Sequence, residues 1–558
     1  MTSAVKPGRI PAAPSTASLL SPEAVAALRD AIGADHVCTG PEDLDRYSRC
    51  TIPWERRCGA VVFPGSAEDV SAVLKAANRH RLKVWPFSGG RNWGYGTTLS
   101  TEDGAVVMVL HRMNRVLEVN EELAYAVIEP GVTYGQLNAH LKQHGYKLWV
   151  DCIDGTSQGS VIGNALDRGV GETPYGDHFG NLCGIEVVLP DGSIVPIGGD
   201  DHGPKTWHLH KWGVGPYLEG MFTQSNFGVV TRAGLWLMPE PEAYNSWVFE
   251  VKDASHLPTV IDTFRQLALQ GILTTKLHMI NDMVSLTVVA QRIEQHRTGG
   301  GYLSPDEVEA LRRQYGIAAM TCAGGIYGTQ AQVRLQRRIL KRALGRHGRL
   351  LFISDRMLAV LERVISTAWK YPAVKAVVER VGGASLQVLD SSPHVHRILQ
   401  GIPTDYFVKH AYYRSRRRLK TDQAISPALD GCGVIWFAPI LPFTSADMLP
   451  FMDRARRRFE EANLDFWVAV LVMNPRSVTC LMNILYDKDD ADEVRHAEEL
   501  YATLVSDMRA AGYQQYRAGL LAWSSLHDGA EPVRKLNGTI KKALDPAGIL
   551  APGRYGID

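Results

Sequence analysis

The chain has no Cys-x-x-Cys pair, no long apolar run and almost no net charge. Its eight cysteines, Cys38, Cys50, Cys58, Cys152, Cys183, Cys322, Cys432 and Cys480, are scattered and keep no metal-ligand spacing with histidine. That excludes a recognisable zinc site or disulfide framework and fits a reducing compartment. No stretch approaches the about 18 apolar residues of a membrane span. Lys+Arg 60 against Asp+Glu 59 leaves a net charge of +1, which gives no general attraction to nucleic acid or a membrane surface. Met1 to Leu20 is rich in Ala, Pro and Ser and has no apolar signal-peptide core. It reads as a loose tail, and a cytoplasmic protein is expected. No Gly-x-Gly-x-x-Gly opens a helix after a strand, and no Gly-x-x-x-x-Gly-Lys-Ser/Thr occurs, so neither a Rossmann dinucleotide site nor a P-loop is expected. No tandem repeat is visible.

What is present begins with length. At 558 residues, with 45% hydrophobic and 21% charged residues, the chain predicts a globular protein of two or three domains. Its most unusual stretch is Pro86-Phe87-Ser88-Gly89-Gly90-Arg91-Asn92-Trp93-Gly94-Tyr95-Gly96. It follows the apolar run Leu82 to Trp85, which reads as a strand entering a turn. Four glycines within eight residues allow positive φ and close backbone approach to a ligand. Successive free N–H groups there form a concave anion site suited to a diphosphate, although an ordinary tight loop has the same composition.

A second such stretch runs from Asp151 to His178. Gly155, Ser160, Gly163, Asn164, Gly171, Tyr175, Gly176 and His178 fall in a segment too poor in bulky residues to fill a core. It suits backbone lying flat against a large planar ligand. Asn226-Phe227-Gly228-Val229 adds a further glycine turn. Around these, helices are predicted from Ser21-Pro22 to Gly33, from Ser66 to His80 and out of the segment Pro130–Leu137 to about Gly145, with strands at Ala60–Pro64, Val106–Leu110, Ala124–Glu129 and Gly184–Leu189. After Glu242 glycine thins out and long amphipathic helices appear at Gln330–His347, Asp355–Trp369 and Ala446–Asn463. Strands at Val434–Pro439, Phe466–Val472 and Thr479–Leu485 complete a second domain, expected to be an antiparallel sheet flanked by helices. The basic run from Arg414 to Lys420 reads as a solvated loop or as a site for an acidic partner. The predicted class is α+β.

Pro86–Gly96, Gly131–Leu137, Gly163–Gly171, Thr173–His178, Trp436-Phe437-Ala438-Pro439 and Ala551–Arg554 with Gly556-Ile557-Asp558 together resemble the vanillyl-alcohol oxidase / p-cresol methylhydroxylase family of flavoproteins. The similarity runs from about residue 50 to the C-terminus. It implies FAD as the cofactor and a two-part FAD-binding domain, residues 21–243 and 500–558, behind the tail 1–20. A substrate or cap domain, residues 244–499, would be inserted between the parts. It also implies Pro86, Ser88, Gly89, Gly90, Arg91, Asn92, Gly94, Gly228, Val229 and Arg554 as cofactor contacts, together with the second glycine stretch, and a homodimer.

The family oxidises para-substituted phenols, so the resemblance implies a phenolic substrate bound as phenolate and hydride transfer from its benzylic carbon to flavin N5. The anion-binding residues carry over as Tyr95, Tyr516, Arg517 and Arg554. Without the family, Tyr95 could pack on the loop, Arg517 could pair with a carboxylate and Arg554 could hold an FAD phosphate. Two departures stand out. The positions of a covalent flavin link fall at Val434, Ser426 or Ala411, which implies non-covalent FAD, with Tyr412 or His410 as outside candidates for a tether. The acid/base positions fall at Val470 and Thr479, and the nearest carboxylate, Asp154, is one register away and doubles as a turn residue. A same-fold enzyme oxidising a non-phenolic anion such as a hydroxy acid, or a catalytically silent FAD-binding protein, are the alternatives. Molecular oxygen or a soluble acceptor would take the electrons.

Overall fold

Local signals set the elements of the first domain. Ser66 caps the helix Ala67–His80 by accepting the Asp69 N–H at 3.2 Å, and Arg81 ends it in the left-handed region (φ 53°, ψ 37°). The face carrying Val70, Val73, Leu74 and Ala77 is fully buried, as the 3.6-residue period predicts. Ser21 and Thr133 cap the helices Pro22–Ile32 and Tyr134–Gln143 in the same way. These facts come from a computed structural model that describes residues 19–199, 205–290, 301–416, 419 and 424–558. Of the expected N-terminal tail, Leu19 and Leu20 alone are described.

Two sheets build the glycine-rich domain. In the first, Ala60–Val62, Val106–Val109 and Val84–Phe87 run parallel and Val37–Cys38 is antiparallel at the edge. Ala60–Val62 and Val106–Val109 are buried throughout, as strands covered on both faces must be. The second is antiparallel, in the order Val116–Asn120, Tyr125–Ile128, Val229–Trp236, Leu182–Val188, Ile194–Ile197. The chain end returns to the first sheet: Leu550 pairs in parallel with Val84, with Val84 N–H donating to Ile549 O at 2.8 Å and Ala551 N–H to Val84 O at 2.9 Å.

The cap begins with the strand Ala243–Val251. It is a nine-stranded antiparallel sheet among the described residues, its centre formed by Met320–Gly328, His278–Asn281, Val468–Asn474 and Ser477–Asp487. The expected helices are present as Gln330–Leu344, Asp355–Lys370 and Ser445–Glu461. The division expected at residue 500 falls inside the helix Ala491–Ala510, which buries Leu500, Tyr501, Leu504 and Met508 against the cap strands. The following pair Gln514–Gln515 still hydrogen-bonds to the cap strand Pro439–Pro442. The chain leaves the cap only at Tyr516-Arg517, because the amphipathic helix needs the sheet to cover its apolar face.

The basic run is also corrected at its start. Arg414 is not a solvated residue: its side chain is 2% exposed, with Nη1 2.8 Å from Asp465 Oδ2 and Nε and Nη2 forked onto Glu493 at 3.0 and 2.6 Å. A planar guanidinium matches two carboxylates in this way, and burial is tolerable only because both are present. Arg416 pairs with Asp487 at 2.8 Å, while Arg417, Arg418 and Lys420 lie outside the described residues. No helix among the described residues is long and apolar enough to cross a membrane. Replacing Arg414→Ala strands two carboxylates in the cap core and is expected to cost about 3–5 kcal/mol. A urea-unfolding midpoint unchanged from the parent would contradict this.

Candidate active site

The strand Val84–Phe87 ends at the bottom of a cleft between the two domains, and the glycine loop forms its floor. Among the described residues, no protein group accepts a hydrogen bond from the backbone N–H groups of Ser88 to Asn92. A run of free amides over a cleft is an anion-binding surface. The loop can turn this way because Gly94 takes φ +78°, and a Cβ there would lie 2.3 Å from the Trp436 ring of the cap. The cleft is walled by both glycine stretches, the chain end and the cap strands.

The structure brings most of the expected residues to this cleft. Pro86, Ser88, Gly89, Gly90, Arg91 and Asn92 line it from the loop, and Gly155, Ser160, Gly163 and Asn164 from the second glycine stretch. Gly228, Val229 and Arg554 close the side nearest the chain end. Five expected contacts stand behind the wall. Gly94 faces Trp436 and donates its N–H to Thr51 Oγ1 at 2.7 Å. Gly171 is packed on Asp151, where a Cβ would be 1.6 Å from Oδ2, and Gly176 donates its own N–H back to Thr173 O at 3.0 Å. Tyr175 presents its carbonyl to Asn181. His178 is buried beneath Asn164, with Nδ1 2.5 Å from Asn164 Oδ1 and Nε2 2.7 Å from Asp151 Oδ2. These residues brace the wall from behind through their backbone and, at His178, through its ring.

At one end of the cleft Tyr95, Tyr516, Arg517 and Arg554 converge, as the sequence reading requires. Their organiser is a residue that reading missed, Asp167. Its Oδ2 accepts from Arg517 Nη2 at 3.0 Å and Asn92 Nδ2 at 3.2 Å, and its Oδ1 accepts from the Tyr555 hydroxyl at 2.9 Å and lies 3.5 Å from Arg554 Nη2. Arg517 Nη2 also donates to Asn92 Oδ1 at 2.7 Å, and its guanidinium lies 4.5 Å from the centre of the Tyr95 ring. Gln224 Nε2 ties the carbonyls of Asp167 and Tyr516 together at 3.1 and 2.9 Å. Tyr555 sits at φ 55°, a strained conformation held by its bond to Asp167.

The electrostatics follow. Burial pushes the Asp167 carboxyl up, but the guanidiniums of Arg517 and Arg554 outweigh it and hold the group below its ordinary range. Burial raises the Tyr95 hydroxyl well above the usual phenol range and also raises that of Tyr516, which the Arg517 charge and hydrogen bonds from Tyr95 and Arg517 pull part of the way back. Both phenols are therefore donors at neutral pH. Trp93 Nε1, Asn226 Oδ1, Arg517 Nε and Arg554 Nε are buried at the cleft with no protein partner. Polar atoms left so are satisfied by a ligand or water, and this mix of donors and an acceptor suits a flavin nucleotide.

The cap wall is apolar. Ala469, Leu471 and Leu481 face the cleft beside Trp436 and Trp467. Val470 is paired with Cys480 on the opposite face of the sheet. Thr479 shares the face of Leu471 but is fully buried outside the cleft. Val470 misses the cavity because a shift of one residue reverses the face, whereas Thr479 lies on the cavity face but beyond the cleft. Asp154 does line it. Of the tether positions, Ala411 and Val434 line the cleft, while Ser426 does not and meets Arg91 Nη1 at 3.5 Å. Tyr412 turns away to Asp430 at 2.5 Å. His410 lines the cleft and bonds through Nδ1 to Phe407 O at 2.6 Å, so the Nδ1 proton is donated and Nε2 is the free acceptor. Burial lowers its pKa.

A cleft floored by free amides, closed by an inserted antiparallel cap and supplied with unpaired polar atoms defines a flavin-dependent oxidoreductase. A family model described as an FAD binding domain matches residues 59–198. A 1'-carboxy-chondrochloren decarboxylase of Chondromyces crocatus is 34% identical over 539 residues, covering 95% of this chain and 96% of that one. The flavoprotein subunit of a 4-cresol dehydrogenase [hydroxylating] of Pseudomonas putida is 29% identical, covering 96% and 95%. The solved structure of a 4-ethylphenol oxidase of Gulosibacter chungangensis in complex with isoeugenol superimposes with a TM-score of 0.84 at 28% identity, covering 97% of this chain and 99% of that one. The chain belongs to the vanillyl-alcohol oxidase / p-cresol methylhydroxylase family of flavoproteins, and FAD is its cofactor.

Asp167 generates a pH prediction. A carboxyl held low in the folded state stabilises above its unfolded value of about 3.9 and loses that contribution as pH falls through the folded value. Asp167→Asn is expected to lose about 3–5 kcal/mol at neutral pH, since two guanidiniums lose their shared partner. The gap to the parent should close below about pH 4. Urea midpoints measured at neutral and acid pH check this, and a gap that stays constant would contradict it.

Proposed function

We propose that this chain oxidises a para-substituted phenol at its benzylic carbon. The observation that carries the reading is a charge count: Arg517 and Arg554 share one carboxylate, Asp167, beside the hydroxyls of Tyr95 and Tyr516. That leaves a surplus positive charge and phenolic donors at one end of the cavity, beside the apolar cap wall. A free phenol ionises near pH 10, so binding it as phenolate at neutral pH takes about 4 kcal/mol of preferential anion stabilisation. Charge-assisted hydrogen bonds from guanidinium and tyrosine in a water-poor site are of that order.

The free amides of Ser88 to Asn92 would hold the diphosphate of FAD, and the glycine stretch around Gly155 and Gly163 would lie along its flat ring. FAD supplies the hydride acceptor. Arg517, Arg554, Tyr95 and Tyr516 hold the phenolate, and its charge flows toward the para carbon as hydride leaves, giving a quinone methide. The apolar wall of Trp467, Ala469, Leu471 and Leu481 keeps bulk water from that product. Electrons then pass to molecular oxygen or a soluble acceptor. The relative named for loss of a carboxyl group fits the same first step. On a substrate whose carboxylate sits on the carbon next to the benzylic one, the C–C bond to the carboxylate breaks, its electron pair forms the vinyl double bond while the exocyclic pair restores the phenolate, and carbon dioxide leaves. No base is needed for that step.

Anaerobic mixing separates the readings. 4-Ethylphenol is expected to bleach the flavin and 2-hydroxy acids are not; bleaching by hydroxy acids alone, or by neither, defeats the phenol reading. Carbon dioxide released from 3-(4-hydroxyphenyl)propanoate identifies the decarboxylating variant. Tyr516→Phe should keep its yellow colour and bleach about 100-fold more slowly.

The same reading holds FAD non-covalently, because Val434 and Ala411 carry no nucleophile and Tyr412 faces Asp430. Acid precipitation should release the yellow colour to the supernatant. Colour retained by the pellet, and lost in His410→Ala, would instead put a link at His410.

A further inference from the structure

Glu172 and His278 form a buried ion pair between the domains that binding the phenolate and releasing hydride do not use. Glu172 Oε2 lies 2.7 Å from His278 Nε2, with the side chains 5% and 15% exposed, and the approach is not aligned as a hydrogen bond. Glu172 follows Val170, which lines the cleft, by two residues. Its backbone is fixed on both sides: its N–H donates to Asp151 Oδ1 at 3.1 Å, and its carbonyl accepts from Thr275 Oγ1 at 3.1 Å and Lys276 N–H at 3.3 Å. His278 pairs with Leu471 across adjacent cap strands, so it projects from the sheet face that Leu471 turns to the cavity. The carboxylate of Asp154, on the cavity wall, acts electrostatically on both members.

We propose that Glu172 and His278 are a proton store behind Asp154, taking up the proton released when water adds to the quinone methide. The proposal rests on the phenol reading above. In the step, the water oxygen bonds to the benzylic carbon and its proton passes to Asp154 and then to the pair. The electron pair of the exocyclic double bond returns to the ring and restores the phenolate beside Arg517. No further oxidant is consumed. Glu172 and His278 act through Asp154 and are positioning residues.

The surroundings suit such a store. Burial raises the Glu172 carboxyl, with Asp154 and Asp151 adding to the rise and His278 opposing it. Burial lowers the His278 imidazole, but the Glu172 carboxylate outweighs it and brings the group above its ordinary value. The other charged and titratable groups packed around them are accounted for. Asp151 is engaged by His178, Lys276 Nζ donates to Met473 O at 2.6 Å, and the Tyr327 hydroxyl donates to Leu399 O at 2.7 Å. Asp177 is close enough to bias Lys276.

The test is the product ratio from 4-ethylphenol, 1-(4-hydroxyphenyl)ethanol against 4-vinylphenol, followed across the neutral pH range. In the parent the share of hydrated product should rise with pH as the store empties of protons. Glu172→Gln and His278→Gln should lower it by about 10-fold or more and flatten its pH dependence, and Glu172→Asp should restore the slope. If both glutamine variants keep the parent ratio and slope, the store is refuted while the phenol reading stands. Variants that lose the flavin would mark the pair as structural and refute it also. A parent that no phenol bleaches overturns the phenol reading and the store with it.

Discussion

The site depends on one buried carboxylate. Asp167 joins three segments far apart in sequence: the glycine loop through Asn92, the chain leaving the cap through Arg517, and the C-terminal loop through Arg554 and Tyr555. Neither guanidinium could be buried at this place alone, and the carboxylate could not either. Each therefore requires the others, and the cluster fixes the angle at which the returning chain crosses the cleft. Gln224 adds a neutral brace by holding the carbonyls of Asp167 and Tyr516 at one distance.

Around that cluster the two domains divide the labour. The glycine-rich domain offers backbone, which gives rigid donors in a fixed array and needs no side-chain ordering when a ligand binds. The cap offers large apolar side chains, which exclude water and so strengthen each charge interaction at the far end. His278 and Glu172 are an exception, since they place ionisable groups where the two domains meet.

Much of this was legible in the sequence where the cause is local. Ser21 caps the helix it was expected to cap, the amphipathic helix after Ser66 forms where its pattern placed it, and the glycine loop follows its strand directly into the cleft. What escaped detection depends on partners distant along the chain. Asp167 is one acidic residue among many and has no local mark that sets it apart. Val470 and Thr479 were the expected acid/base positions, but strand pairing turns Val470 to the opposite face, and periodicity alone does not fix that phase. The helix across residue 500 buries its apolar face on the cap sheet, a partner that nothing in its own pattern names. Arg414 looked like its basic neighbours until Asp465 and Glu493 arrived from the other side of the cap.

The pairing of Leu550 with Val84 has a consequence for biosynthesis. The strand that carries the glycine loop is synthesised before the segment that covers its edge and delivers Arg554. Until that segment has been made, the edge of the first sheet stays open for a partner more than four hundred residues downstream, and the cleft lacks one of its two guanidiniums.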